Sequence, residues 1–179
     1  MISTLVSKPY AELVCTSNFT FLNGASHPQE LVIRAAELGY YAIAITDECS
    51  LAGIVRAYEE SLRCKQNEQE IKLICGSLFR LEDGSRLVLL AENNTGYSQL
   101  CTLITRGRRN APKGSYVLPD KAFENGLDHC LALWLPAYQT ARPEDNMLTA
   151  HWLASHFPAR SWLAINLSLG ADDRKRLAQ

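Results

Sequence analysis

Apolar and polar positions alternate along the chain in blocks that predict strands and helices in turn. Short apolar runs predict strands, and longer segments with apolar residues every three or four positions predict helices. The predicted strands cover 10–15, 41–46, 71–79, 86–92, 130–136 and 161–167. The predicted helices run from Ser26 to Gly39 and over 51–63, 95–109 and 144–157, and residues 170–179 are typical of the opening of another.

Cap and turn residues predict where several of these elements begin and end. Ser26 and Gln29 have the spacing of a capping box, Pro28 suits a first helical turn, and Gly39 is the expected stop. In the second helix one face is predicted to point inward, and it carries Leu51, Ile54, Val55, Tyr58 and Leu62. The turn signal Glu82-Asp83-Gly84 predicts an antiparallel β-hairpin near residues 71–92.

The alternation of strands and helices predicts an α/β fold with mostly parallel strands joined by crossovers. Both a doubly wound sheet and a barrel fit this pattern. Without the antiparallel hairpin strand 86–92, five parallel strands remain, which are too few for a closed (β/α) barrel, so a barrel would be incomplete. No turn-rich linker divides the chain, and we expect residues 1–179 to belong to one domain.

Composition narrows the class of protein without pointing to a ligand. The chain has 179 residues, 47% of them hydrophobic, and a net charge of −1, as in ordinary soluble domains. We see no signal peptide and no apolar run near the roughly 20 residues that span a bilayer, so we expect a cytoplasmic protein with no membrane partner. The six cysteines form no C-x-x-C pair, which favours reduced, mostly buried thiols over a zinc site built from them.

Two adjacent carboxylates follow the second predicted strand. Ligands bind at the carboxyl ends of parallel strands in either architecture, so Asp47 and Glu48 are candidates for a catalytic or metal-binding pair. The alternative is that they cap the helix that follows. The other strand ends carry Cys15-Thr16-Ser17, Gly76-Ser77, Leu135-Pro136 and Asn166. The histidines lie elsewhere, and we expect surface or packing roles for His27, His129, His151 and His156.

A basic cluster closes the third predicted helix and opens the loop after it. Its members are Arg106, Arg108, Arg109 and Lys113. One interpretation is contact with phosphate groups of nucleic acid or with an acidic neighbouring surface. The other is that these cations complement the helix C-terminus on a solvated face.

Residues 10–58 resemble the opening of a polymerase-and-histidinol-phosphatase (PHP) domain, and the resemblance continues over essentially the whole chain. The match is closest to the version at the N-terminus of bacterial C-family DNA polymerases, relatives of the polymerase III alpha subunit. The stretches "SNFTFLNGASHP", "ITDECSLAG" and "LLAENNTGYSQLCTLITRGRRNAPKG" resemble the error-prone, damage-inducible branch. The resemblance implies a distorted (β/α)7 barrel, here a partial one that lacks its last strands, with the hairpin near residues 71–92.

In active members of this family, histidines and carboxylates at the strand ends hold metal ions that hydrolyse phosphoesters. The H-x-H motif reads Val14-Cys15-Thr16 here, and the Asp-His pair reads Asp47-Glu48. Leu78 stands where a Glu is expected after Gly76. The resemblance places later ligands beyond residue 179. We therefore expect Asp47 and Glu48 to be the remnant of a metal site that binds no cofactor. Zn²⁺, Mn²⁺ or Mg²⁺ would bind only if Cys15 joined these two residues to rebuild the site.

The resemblance implies a structural and interaction module for an error-prone polymerase that acts in DNA-damage tolerance and translesion synthesis. Palm, fingers and thumb lie downstream of this chain, and their domains are the expected partners, with DNA and proteins of the mutagenesis machinery as further candidates. An open barrel edge is expected to expose an apolar face. The alternative is a metal-dependent phosphoesterase or 3′–5′ exonuclease with an altered ligand set.

Overall fold

Six strands form a single curled sheet in the computed structural model, which describes residues 9–81, 84–124, 127–137, 143–167, 170–171 and 173–177. The strands are β1 (Ala11–Cys15), β2 (Ala42–Ile45), β3 (Lys72–Arg80), β4 (Arg86–Ala91), β5 (Cys130–Leu135) and β6 (Ser161–Leu163). The helices are α1 (Pro28–Glu37), α2 (Ile54–Gln66), α3 (Asn94–Arg109), α4 (Pro143–His156) and α5 (Asp173–Leu177), with a 3₁₀ turn at Asp120–Ala122.

The strands lie side by side in chain order, which confirms the predicted α/β class and the hairpin. Strands β1, β2 and β3 are parallel, β4 is antiparallel to both of its neighbours, and β5 and β6 are parallel. The hairpin turn itself is only partly visible, because Glu82 and Asp83 lie outside the described residues. Gly84 has a φ of +81°, a conformation that glycine adopts without strain.

The sheet curls into a half-barrel, as expected for a partial PHP barrel. Its convex face is covered in two places: Val32 and Ala57 of α1 and α2 pack on Ile43 and Ile45 of β2, and α3 and α4 enclose a second cluster around Phe79. The concave face is apolar as well, with Ala44, Leu78, Val88, Leu90, Leu133 and Leu135.

The concave face borders an open cavity of about 870 Å³ between β1 and β6. Trp162 and Leu163 of β6 line this cavity and are 49% and 62% exposed. The predicted exposed apolar face of an open barrel is therefore present within the described residues. Strand β6 ends at Leu163, four residues earlier than predicted, and the 164–167 segment continues along the cavity in irregular conformation.

Two sequence predictions about helices are wrong in detail. Helix α1 has its N-cap at His27, whose N–H donates to Glu30 Oε2 at 2.7 Å, so the cap lies one residue after Ser26. Helix α2 starts at Ile54, which is buried as predicted, and Leu51 packs partly buried against the core. The rest of the buried face carries Ala57, Ser61 and Cys64, whereas Val55, Tyr58 and Leu62, predicted to point inward, are exposed. The small residues on the buried face allow α2 to pack closely, which an apolar count does not anticipate. Gly39 follows α1 with a φ of +71°, as predicted.

None of the helices in the described part of the chain is long and apolar enough to cross a membrane.

Candidate functional site

Asp47 is a buried carboxylate at the carboxyl end of β2. Its side chain accepts three hydrogen bonds from the loop that follows β1: Oδ1 accepts from the Ser17 N–H at 2.8 Å and from Thr20 Oγ1 at 2.7 Å, and Oδ2 accepts from Ser17 Oγ at 2.7 Å. Residue Asp47 is 1% exposed. A carboxylate that is buried this deeply is stable only when hydrogen bonds or opposite charge compensate it, and here three donors do so.

The same contacts fix the loop. The Phe19 N–H donates to Ser17 Oγ at 3.2 Å, and the Glu48 N–H donates to Thr20 Oγ1 at 2.9 Å. Backbone hydrogen bonds from Thr20 to Ser17 and from Gly24 to Thr20 fold it further. Asp47 does not cap α2, whose N-cap is Gly53 without a side-chain cap, so the helix-cap interpretation is wrong. The carboxylate instead organises the loop over residues 17–24.

Glu48 faces the other way, toward the end of β3. Its Oε1 accepts from Arg80 Nε at 2.9 Å and its Oε2 accepts from Arg80 Nη2 at 3.2 Å, a bidentate ion pair. The Tyr116 hydroxyl donates to Oε1 at 3.0 Å and accepts from the Arg80 N–H at 2.8 Å. The bond to Glu48 raises the pKa of Arg80, and burial raises the pKa of Tyr116, so both groups stay protonated donors.

Hydrogen bonds also fix the backbone of the turn that follows β2, which contains Asp47 and Glu48. Leu78 donates its N–H to Asp47 O at 3.1 Å, and the Cys49 N–H donates to Leu78 O at 2.8 Å, which prolongs the pairing of β2 and β3 past the end of β2. The Ser77 hydroxyl donates to Asp47 O at 2.9 Å. The Asp47 and Glu48 side chains therefore point in fixed directions from the turn.

Of the predicted basic cluster, Arg108 belongs to this site. Its guanidinium donates to the carbonyl oxygens of Glu48, Cys49 and Ser115 at 3.2–3.3 Å and lies 5.5 Å from the Tyr116 ring centroid. Arg106, Arg109 and Lys113 are exposed, and Arg106 borders a separate groove on α3. The structure thus divides the cluster between one residue that ties backbone segments together and three that face solvent.

These elements enclose a cleft of about 570 Å³. Its walls are the loop after β1 on one side and the segment 114–118 on the other, with Glu48, Arg80 and Arg108 between them. Phe19 and Phe21 form an aromatic rim. The cleft is a size that accepts small ligands or a side chain of a partner.

The residues at this sheet edge do not fit a metal centre. No group of three or more His, Cys, Asp or Glu side chains within the described ranges is arranged to hold a metal ion. Burial, with Glu12 and Asp47 nearby, raises the pKa of the Cys15 thiol to about 11, so this thiol is protonated at neutral pH when no cation is bound. The Asp47 oxygens are held by Ser17 and Thr20, and those of Glu48 by Arg80 and Tyr116.

The histidines stay apart from the site. His27 Nδ1 pairs with Asn18 Nδ2 at 2.8 Å, and His129 Nδ1 pairs with Asn93 Nδ2 at 3.1 Å. His151 and His156 contact backbone oxygens within α4. Their positions agree with the surface or packing roles that the sequence suggests.

A half-barrel with carboxylates at its parallel strand ends is the architecture of a PHP domain. The family model described as PHP domain matches residues 12–165, and the chain belongs to this family. A solved structure named as a metal-dependent phosphoesterase, from Bifidobacterium adolescentis, has the same fold with a TM-score of 0.57 at 11% identity, over 80% of this chain and 74% of that one.

The more specific likeness is to error-prone DNA polymerases. The chain is 55% identical over 168 residues to the one from Pseudomonas paraeruginosa and 52% identical over 170 residues to the one from Methylococcus capsulatus. Each match covers 94% of this chain but only 15% of the relative, so the chain spans about 15% of the length of these curated relatives. The match lies in their N-terminal region.

Four residues that build the site were not predicted from sequence to act in it. The sequence pattern places Ser17 at a strand end and assigns no role to Thr20, Arg80 or Tyr116. The hydroxyl-rich run "CTSNFT" after β1 is a signal for Ser17 and Thr20, because a buried carboxylate needs nearby donors. No local sequence pattern identifies Tyr116, because it lies 68 positions after Glu48 in the chain.

Proposed function

We propose that this chain is a structural and interaction module of an error-prone DNA polymerase, formed by the N-terminal portion of its single PHP domain. Translesion synthesis would be carried out in the cytoplasm by palm, fingers and thumb domains outside this chain. The observation that carries the proposal is the engagement of both strand-end carboxylates by protein donors. Asp47 and Glu48 hold loops in place, which is a structural task.

The concave face supports a role in binding the rest of the polymerase. An apolar cavity of about 870 Å³ bordered by exposed Trp162 and Leu163 is unfavourable in water. Strands β1 and β6 form the two edges of the sheet and offer backbone groups to a further strand. A downstream part of the polymerase chain is the proposed occupant, because the curated relatives extend far beyond the matched region.

The exposed cations are proposed as a second contact. Arg106 and Arg109 lie in the last turn of α3 and Lys113 lies in the loop next to the cleft, in a chain whose overall charge is only −1. Phosphate groups of DNA or an acidic face of a neighbouring polymerase domain would complement them. Arg108 is assigned to structure instead, because its donors already serve three backbone oxygens.

The phosphoesterase and exonuclease alternative is not favoured. It needs several ligands that converge on a metal ion. At the positions that the family pattern gives to histidines and a Glu, this chain has Val14, Thr16, Glu48 and Leu78. Leu78 is buried in the concave face, and the Glu48 carboxylate is paired with Arg80 and Tyr116. Zn²⁺, Mn²⁺ or Mg²⁺ therefore has no part in the proposed function.

A hydrolysis assay tests this proposal directly. The purified chain and Asp47→Asn are incubated with a labelled single-stranded oligonucleotide and with bis(p-nitrophenyl) phosphate, in Zn²⁺, Mn²⁺ and Mg²⁺. We expect no hydrolysis above that of the variant, and elemental analysis should find less than about 0.1 metal per chain, far below one-to-one occupancy of a site. Metal-dependent hydrolysis that Asp47→Asn abolishes would refute the structural role.

A second assay tests the docking face in a full-length polymerase that contains this chain. Leu163→Asp places a charge in the concave cavity, whereas Leu148→Asp changes an exposed leucine of α4 that does not border it. We expect Leu163→Asp to reduce soluble yield or lesion bypass several-fold and Leu148→Asp to leave both near wild type. Equal behaviour of the two variants would contradict docking at this face.

A further inference from the structure

The carboxylate of Glu48 has a positive partner supplied by the chain itself. The Arg80 guanidinium meets it with two hydrogen bonds, at 2.9 and 3.2 Å, from a residue at the end of β3. The Glu48 side chain is 18% exposed and that of Arg80 is 55% exposed. Planar bidentate pairing of this kind satisfies both carboxylate oxygens in one orientation.

Tyr116 closes a ring with these two residues. Its hydroxyl donates to Glu48 Oε1 and accepts from the Arg80 backbone N–H, so each of the three residues contacts the other two. Arg108 binds the same segment from another side, through a hydrogen bond to Ser115 O and a cation–π contact with the Tyr116 ring. The strand ends and the 114–118 segment are therefore joined through charged and polar contacts at one point.

We propose that Arg80 takes the place of a metal ion at this end of the sheet. The guanidinium supplies the positive charge that anchors Glu48 and, with Tyr116, forms a metal-independent clasp between the strand ends and segment 114–118. A dication that approached Glu48 would have to displace Arg80 from both oxygens. The clasp explains how the site keeps a defined shape without a metal, and it shapes one wall of the cleft. This inference rests on the structural role proposed above and specifies the residue that performs it.

An ordinary surface ion pair is the competing interpretation, and the chain contains a matched example. Arg34 and Glu37 of α1 form a single contact at 2.9 Å, with side chains 68% and 48% exposed. Such exposed pairs contribute little to stability. The clasp differs from this pair by its second hydrogen bond, its less exposed carboxylate and its tyrosine partner.

The test is a double-mutant cycle on the 179-residue chain, read as the thermal unfolding temperature. Glu48→Gln, Arg80→Gln and the double variant are compared with Glu37→Gln, Arg34→Gln and their double variant. We expect the two losses at the clasp to be non-additive by about 2–4 °C, and the control losses to be additive within about 1 °C. Equal coupling in the two pairs would overturn the proposal.

The same samples are measured with EDTA and with added Zn²⁺ or Mn²⁺. We expect these additions to change the unfolding temperature of the wild-type chain by less than about 1 °C. A metal-induced rise of more than about 3 °C that is absent in Glu48→Gln would show that a metal competes with Arg80, and it would overturn the proposal. If Glu48→Gln does not fold, Tyr116→Phe replaces it, with an expected loss of about 2–4 °C that EDTA does not change. A Tyr116→Phe variant as stable as wild type would also overturn it. The hydrolysis assay above is independent of this result, so the structural role and the clasp can fail separately.

Discussion

Removal of the Asp47 carboxylate is the sharpest test of what this residue does. In Asp47→Ala the Ser17 N–H, the Ser17 hydroxyl and the Thr20 hydroxyl lose their common acceptor in a site that is 1% exposed. A buried donor left without an acceptor costs about 1–3 kcal/mol. The two hydroxyls can rotate toward other acceptors, so we take the low end and expect a loss of about 3–5 kcal/mol in the free energy of unfolding.

Asp47→Asn separates a hydrogen-bonding role from a metal-binding one. The amide oxygen can still accept from the Ser17 N–H and Thr20 Oγ1, and the amide nitrogen can donate to Ser17 Oγ. We therefore expect Asp47→Asn to lose only about 1–2 kcal/mol, since it weakens two charge-assisted bonds and leaves only the Ser17 hydroxyl proton without its acceptor. If the residue served as a metal ligand instead, both variants would lose the metal and behave alike.

Urea unfolding followed by tryptophan fluorescence measures both variants, with and without EDTA. Exposed Asp128→Ala is the control, and its effect should stay within about 0.5 kcal/mol. A loss below about 1 kcal/mol for Asp47→Ala, or equal losses for Asn and Ala, would refute the reasoning.

Three further predictions concern packing, capping and pH. Gly96→Ala should lower the free energy of unfolding by about 3 kcal/mol in urea titrations, because its Cβ would lie 2.1 Å from His129 O; a loss under about 1 kcal/mol would contradict the close approach. Asn93→Ala should cost about 1 kcal/mol by the same measurement, since Asn93 Oδ1 caps α3 at the Gly96 N–H, and a neutral result would argue against the cap. Burial raises the pKa of Cys49 from 9.0 to about 11 and that of Cys130 from 9.0 to about 12. These thiols ionise first in the unfolded chain, so stability should be full below about pH 9 and fall by about 4–5 kcal/mol by about pH 11; an unfolding free energy that is flat over this range would contradict the burial of both thiols.

Most of the fold could be predicted from the sequence because the strands are short, apolar and well separated. The run "AIAI" is β2, buried at every position, and Gly39 ends α1 as expected. The inward face of α2 could not be predicted in this way. The buried face contains Ala57 and Ser61, which are small enough to allow close packing, whereas the larger Tyr58 is exposed. Hydrophobicity alone therefore assigns Tyr58 to the wrong face of α2.

The candidate site was located by topology, but its contacts depend on tertiary structure. The rule that parallel strands present ligands at their carboxyl ends identifies Asp47 and Glu48 from sequence. The partners that define their roles come from three other segments: the loop after β1, the end of β3 and the segment that contains Tyr116. The sequence predicts that Arg108 contacts phosphate or complements the end of its helix, and it does not predict the hydrogen bonds that Arg108 donates to the backbone of residues 48 and 49.

The two carboxylates present the same electrostatic problem, and the chain solves it in two ways. The negative charge of carboxylate oxygens at a sheet edge must be compensated by hydrogen bonds or by positive charge. In the PHP fold a metal ion can supply that positive charge. Buried Asp47 receives neutral donors, because hydroxyls and a backbone N–H can reach it without bringing a second charge into the interior. Glu48, at the rim of the cleft, receives a full positive charge from Arg80, whose guanidinium stays partly in water and so avoids most of the desolvation cost. Each carboxylate oxygen therefore has a partner within the chain, and these partners can hold the strand ends in shape.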